Sequence, residues 1–88
     1  MTNPIYRLVA CDMANTPVVR TLVRRNSWNE FVVATDILKL MATGKREWYR
    51  VGTYYTEDRD DAIDTAHCEH SDASKKWHRR ATLHGVGA

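Results

Sequence analysis

The chain has 88 residues, 43% of them hydrophobic and 27% charged, with a formal net charge of +2 at pH 7. That length supports one domain with a modest core, and no run approaches the roughly 18 apolar residues of a membrane span. Two cysteines, Cys11 and Cys68, do not make a disulfide framework, so both read as free thiols and the chain as untargeted, cytoplasmic and without a membrane role.

Residues 5–11 (IYRLVAC) and 17–25 (PVVRTLVRR) are rich in strand formers and flank the turn-like segment DMANT, which predicts a hairpin. Alternation places Tyr6, Leu8 and Ala10 with Val19, Thr21 and Val23 on one face. Arg7, Arg20 and Arg24 fall on the other.

The following stretch, NSWNEFVVATDILKLMATGKR, reads as a helix over residues 28–43. Ser27 and Glu30 have the spacing of a capping box, and Gly44 stands where a left-handed C-terminal cap belongs. On a helical wheel Phe31, Val33, Ala34, Ile37, Leu38 and Met41 gather on one half, whereas FVVATDILKL lacks the strict alternation of a half-buried strand.

Residues 47–56 (EWYRVGTYYT) then predict a third strand with Gly52 as a bulge, Tyr49, Val51 and Tyr55 on one face and Trp48, Arg50 and Tyr54 on the other. A second helix starts near Arg59, capped by Asp58. Its first turn carries Asp60 and Asp61 at the positive end of the dipole. Ala62, Ile63, Ala66, His70, Ala73 and Trp77 form its apolar stripe, and residues 80–88 read as a frayed tail of the single domain 1–88. The expected fold is therefore α+β with the order ββαβα: a three-stranded, mainly antiparallel sheet of order 2-1-3 with two helices on one face.

Charge is segregated along this chain. Residues 57–72 carry seven acids against Arg59 alone, a balance of −6, and the remainder carries +8. Acids at a helix start and bases at its end suit the dipole, but that does not account for the arginines of the first half.

Chemistry-bearing constellations are few. Asp64, His67, Cys68 and His70 lie within two helical turns, with His78 and His84 beyond. A zinc site there would need a C-x-x-C or H-x-x-x-H pair to join two segments, and neither occurs, so satisfied core or surface histidines are expected in place of a metal. No nucleophile elbow, P-loop or dinucleotide fingerprint is present, so neither enzymatic activity nor a cofactor is expected. What remains is binding. Arginine with tryptophan and tyrosine is the composition of protein-interface anchors, and equally of surfaces on which bases stack. The candidate partner-binding residues are Asp60, Asp61, Asp64 and Glu69 at the acidic pole, and Arg7, Arg20, Arg24, Trp48, Arg50 and Tyr54 at the other.

The segment YYTEDRDDAIDTA, residues 54–66, resembles a strand-into-helix pattern of small accessory proteins encoded by tailed phages; it covers 13 of the 88 residues and carries over no site residue. The resemblance implies a viral or mobile-element protein aimed at host machinery, with anti-CRISPR-type inhibitors as one example. The expected function is thus to bind and block a host protein or nucleoprotein complex. The alternative is direct DNA or RNA binding through the arginine and aromatic face.

Overall fold

The computed structural model describes residues 4–83, with side chains through residue 78. Its elements are β1 (Tyr6–Cys11), β2 (Pro17–Arg25), β3 (Phe31–Leu40), β4 (Arg46–Thr56) and α1 (Arg59–Leu83). The strands form one antiparallel meander in the order β1-β2-β3-β4, and α1 lies across one face of it. The class is α+β, but four strands and one helix replace the expected three strands and two helices. The sheet order is 1-2-3-4 in place of 2-1-3.

The difference lies in residues 28–43. Phe31–Leu40 is a strand, paired with β2 on one side and β4 on the other. Its β-branched Val32, Val33, Thr35 and Ile37 favour a pleated backbone. Because β3 is central, both its faces are partly covered: Val33, Thr35 and Ile37 are buried on the helix side and Asp36 on the other. Apolar residues therefore occupy adjacent positions, which erases the alternation that marks a half-exposed strand.

The supposed helix caps are hairpin loops, and all three loops of the meander share one design. The amides of Asp12, Asn26 and Met41 donate to the carbonyls of Thr16, Glu30 and Lys45 at 2.9, 2.9 and 2.7 Å, and those of Asn15, Asn29 and Gly44 donate back to the carbonyls of Asp12, Asn26 and Met41. Asn15, Asn29 and Gly44 hold φ of 61, 66 and 86°. This is a turn closed by a left-handed residue, a geometry that asparagine and glycine tolerate best. In the first two loops an Asx side chain adds to it: Asp12 Oδ1 accepts from the amides of Ala14 and Thr16 at 2.9 Å, and Asn26 Oδ1 from those of Trp28 and Glu30 at 3.0 and 2.9 Å. Ser27 is exposed and caps nothing.

The final helix follows its sequence signals. Asp58 Oδ1 accepts from the amides of Asp60 at 2.9 Å and Asp61 at 3.5 Å. Ala62, Ala66 and Ala73 are buried, and their small side chains let the helix lie close to the sheet. Two adjoining clusters make the core. Val23 and Val33 meet Ala62 and Ala66, while Val18, Val19 and Ile37 meet Ala73. Trp77 closes the far end, its indole N–H donating to the Leu38 carbonyl at 3.3 Å. The helix runs to Leu83, so residues 80–83 of the expected frayed tail are helical; residues 84–88 lie outside the described residues.

Candidate functional site

The face of the sheet away from α1 is covered by no other element of the described chain. Strand register fixes which side chains stand on it. Arg7 is opposite Leu22, Val9 opposite Arg20 and Arg24 opposite Val32; Arg20 is also opposite Asp36, which faces Arg50 across the next gap. Further along, Leu38 faces Trp48 and Val32 faces Tyr55. The charged residues at these positions are arginines and Asp36, with neither lysine nor glutamate among them.

Asp36 is the centre of this face. Its carboxylate accepts from Arg20 Nε at 2.9 Å and from Arg50 Nε at 2.5 Å, and it is only 4% exposed although it lies on the uncovered side. Burial raises its pKa, but the hydrogen bonds and charges of Arg50 and Arg20 outweigh that and hold it below the ordinary 3.8. The Arg20 guanidinium lies 4.2 Å from the centre of the Trp48 ring, a cation–π stack. One carboxylate thus fixes two arginines, and one of them fixes an indole. Side chains so held lose little freedom on docking, which is how anchors are pre-organised.

Of the sequence-predicted residues, Arg7, Arg20, Arg24, Trp48 and Arg50 all stand on this face, and Asp36 links Arg20 with Arg50, with Trp48 under Arg20. Tyr54 is not. A bulge in the β3–β4 ladder falls between Thr35 and Asp36, which pair with Gly52 and Arg50 and leave Val51 as the extra residue. The inserted residue reverses alternation beyond it. Tyr54 therefore joins the helix side, where its hydroxyl donates to Asp61 Oδ2 at 2.7 Å and its pKa is raised by that carboxylate. Tyr55, 58% exposed, takes its place on the open face.

The acidic residues are on α1, remote from that face. Asp60 and Asp64 are exposed, Asp61 is engaged by Tyr54, and Glu69 is half-buried beside β4. Beside the links of Tyr54 and Trp77, two further polar links join the helix to the sheet: Tyr6 Oη with His67 Nε2 at 2.7 Å, and Thr21 Oγ1 with Thr35 Oγ1 at 2.9 Å and His70 Nδ1 at 3.3 Å. Burial and the neighbouring His67 push His70 below its ordinary 6.5. Among the described residues no group of three or more His, Cys, Asp or Glu could hold a metal ion, and His67 and His70 are engaged in packing; His84 lies outside the described residues.

Sequence reasoning missed Asp36, Tyr55 and Trp28. Asp36 is recoverable from the 16-residue separation from Arg20, once the loop at Asn26 is read as a hairpin. Trp28 stands 79% exposed at the tip of that loop, where a helical reading had placed a first turn. No helix of the described residues is long and apolar enough to cross a membrane. No protein-family model matches the chain, and no curated protein or solved structure matches it.

Proposed function

We propose that this chain is a small non-enzymatic binding protein of phage or mobile-element type, which docks its open sheet face on a protein of a host nucleic-acid-handling complex and blocks it in the host cytoplasm. Inhibition of the anti-CRISPR kind is one example. The observation that supports this most is the Asp36 cluster, which holds Arg20, Arg50 and Trp48 in place on a face that no other element covers. Interfaces are enriched in arginine and aromatic residues and depleted in lysine and glutamate, and this face has that composition. The acidic first half of α1, on the opposite side, gives the molecule an orientation as it approaches a charged partner.

Direct binding of DNA or RNA is the second reading. It rests on the same arginines with Trp48 and Tyr55 as stacking groups. A salt titration with labelled single-stranded and duplex oligonucleotides separates the two, since phosphate contacts give an affinity that falls steeply with salt. The protein-binding reading expects no measurable complex at low salt. A tight, salt-sensitive complex lost on Arg7→Glu would replace it with the nucleic-acid reading.

A further inference from the structure

A second surface lies on the helix side of the sheet, distinct from the open face. Because β4 is the last strand of the order β1-β2-β3-β4, its outer edge has no partner among the described residues. It is 11 residues long, against 6 for β1 at the other edge. Strand edges are commonly blunted by charge, by proline, by a bulge, by brevity or by a cover. Arg46, Glu47, Arg50 and the bulge at Val51 blunt the first half of β4, but residues 52–56 contain neither a proline nor a charged side chain, and Tyr54 and Tyr55 remain exposed along them.

Beside this edge, between α1 and β4, runs an open groove of 680 Å3. Ile37, Val51, Ala73 and Trp77 contribute its apolar surface, and Asp64, Glu69 and Asp72 stand on its helical wall. No cation of the described residues pairs with those three carboxylates. Lys39 and Lys76 also border the groove; the Lys39 ammonium lies 4.7 Å from the centre of the Tyr49 ring, and neither lysine forms an ion pair with the three carboxylates.

The position of Glu69 links the wall to the strand. A Cβ added at Gly52 would stand 2.8 Å from Glu69 Oε2, so the carboxylate reaches the strand backbone only because residue 52 has no side chain. Gly52 also begins the run of β4 that continues past the bulge to Thr56. That half of the edge therefore carries unpaired strand backbone, exposed tyrosines and a carboxylate seated directly above.

We propose that the Gly52–Thr56 half of β4 takes an extended, basic peptide segment of a partner protein as a fifth strand, with its lysine or arginine side chains directed to Glu69 and Asp64. Backbone pairing supplies affinity in such strand addition, and alternate side chains supply selection. Charge decides the occupant. An antiparallel β4–β4 pair between two copies would bring two acidic walls together, whereas a basic strand neutralises one.

The test uses the full chain and two fluorescent peptides of about eight residues, one alternating lysine with valine and one alternating glutamate with valine. Anisotropy measures binding, and amide hydrogen exchange locates it. Binding of the lysine peptide is expected about tenfold tighter or more than that of the glutamate peptide, with slowed exchange at residues 52–56. Asp64→Lys combined with Glu69→Lys is expected to reverse that preference, with circular dichroism reporting an unchanged fold. Should the double variant fail to fold, Glu69→Gln alone is expected to weaken the lysine peptide severalfold. Equal binding of the two peptides, no binding of either, protection confined to the open face, or a dimer through β4 that the lysine peptide does not dissociate would each overturn the proposal. The lysine-over-glutamate preference and the protection of residues 52–56 are read independently of whether the open face binds a partner.

Discussion

Removing Asp36 and removing its arginines are expected to have unequal effects, and the inequality follows from burial. Asp36 has a side chain only 5% exposed, while those of Arg20 and Arg50 are 39% and 55% exposed. In Asp36→Ala the two guanidiniums return to water, so the loss is that of charge-assisted hydrogen bonds, about 1.5–3 kcal/mol. In Arg20→Ala with Arg50→Ala a buried carboxylate loses both partners, and leaving a buried charge uncompensated costs about 3–5 kcal/mol. The triple variant removes that charge as well and is expected to recover part of the difference. For a domain of this size 1 kcal/mol corresponds to about 4–8 °C in Tm, so thermal denaturation at pH 7 resolves the three. The pH dependence has a definite sign. The folded-state pKa of Asp36 is below 3.8, so its contribution is complete above that value and is lost as pH falls through the folded pKa. The wild-type chain is expected to lose more stability than Asp36→Ala over that interval. A single variant as damaging as the arginine pair, or a triple variant no better than the pair, would refute the reasoning.

Three other outcomes are expected. Asn26→Ala removes the acceptor of two loop amides and is expected to cost about 1–2 kcal/mol, while Ser27→Ala, at an exposed position, is expected to stay within about 0.5 kcal/mol by the same denaturation assay. His70 has a lowered folded-state pKa, so the unfolded chain binds its proton more readily; stability is complete above 6.5, falls as pH drops from there through the folded pKa, and is expected to fall less in His70→Gln. Gly52→Ala places a Cβ against the far end of the flexible Glu69 side chain, so it is expected to cost under about 1 kcal/mol while moving the Glu69 carboxylate, visible as shifted side-chain resonances in NMR.

The helix at Arg59 and the hairpin of β1 and β2 were legible because their signals are local: an Asx cap before a stripe of alanines, and two β-rich runs around a short turn. Residues 28–43 were not, since Ser27 and Glu30 match a capping box by spacing alone. The discriminating signal was the recurrence of Asx-x-x-Asn at Asp12–Asn15 and Asn26–Asn29, which places a left-handed asparagine in equivalent positions of two loops. Within the candidate site, the arginines of β1 and β2 were placed correctly because alternation holds there up to Ala10. In β4 the bulge that Gly52 hinted at was recognised without its consequence, the exchange of Tyr54 and Tyr55 between faces. Asp36 stayed hidden for a different reason: its partners are cross-strand neighbours, and their identity depends on a register that the helical reading removed.

Affinity capture from the native host, with the wild-type chain compared with a Trp48→Ala, Arg7→Glu double variant, bears most directly on the open sheet face as the binding surface. Both substitutions lie on that face, and circular dichroism establishes that the double variant remains folded. A nucleic-acid-handling complex is expected with the wild-type chain and not with the double variant, while Asp60→Lys on the opposite side leaves capture intact. Retention of the same complex by the folded double variant, or its loss with Asp60→Lys, would contradict the assignment of function to this face.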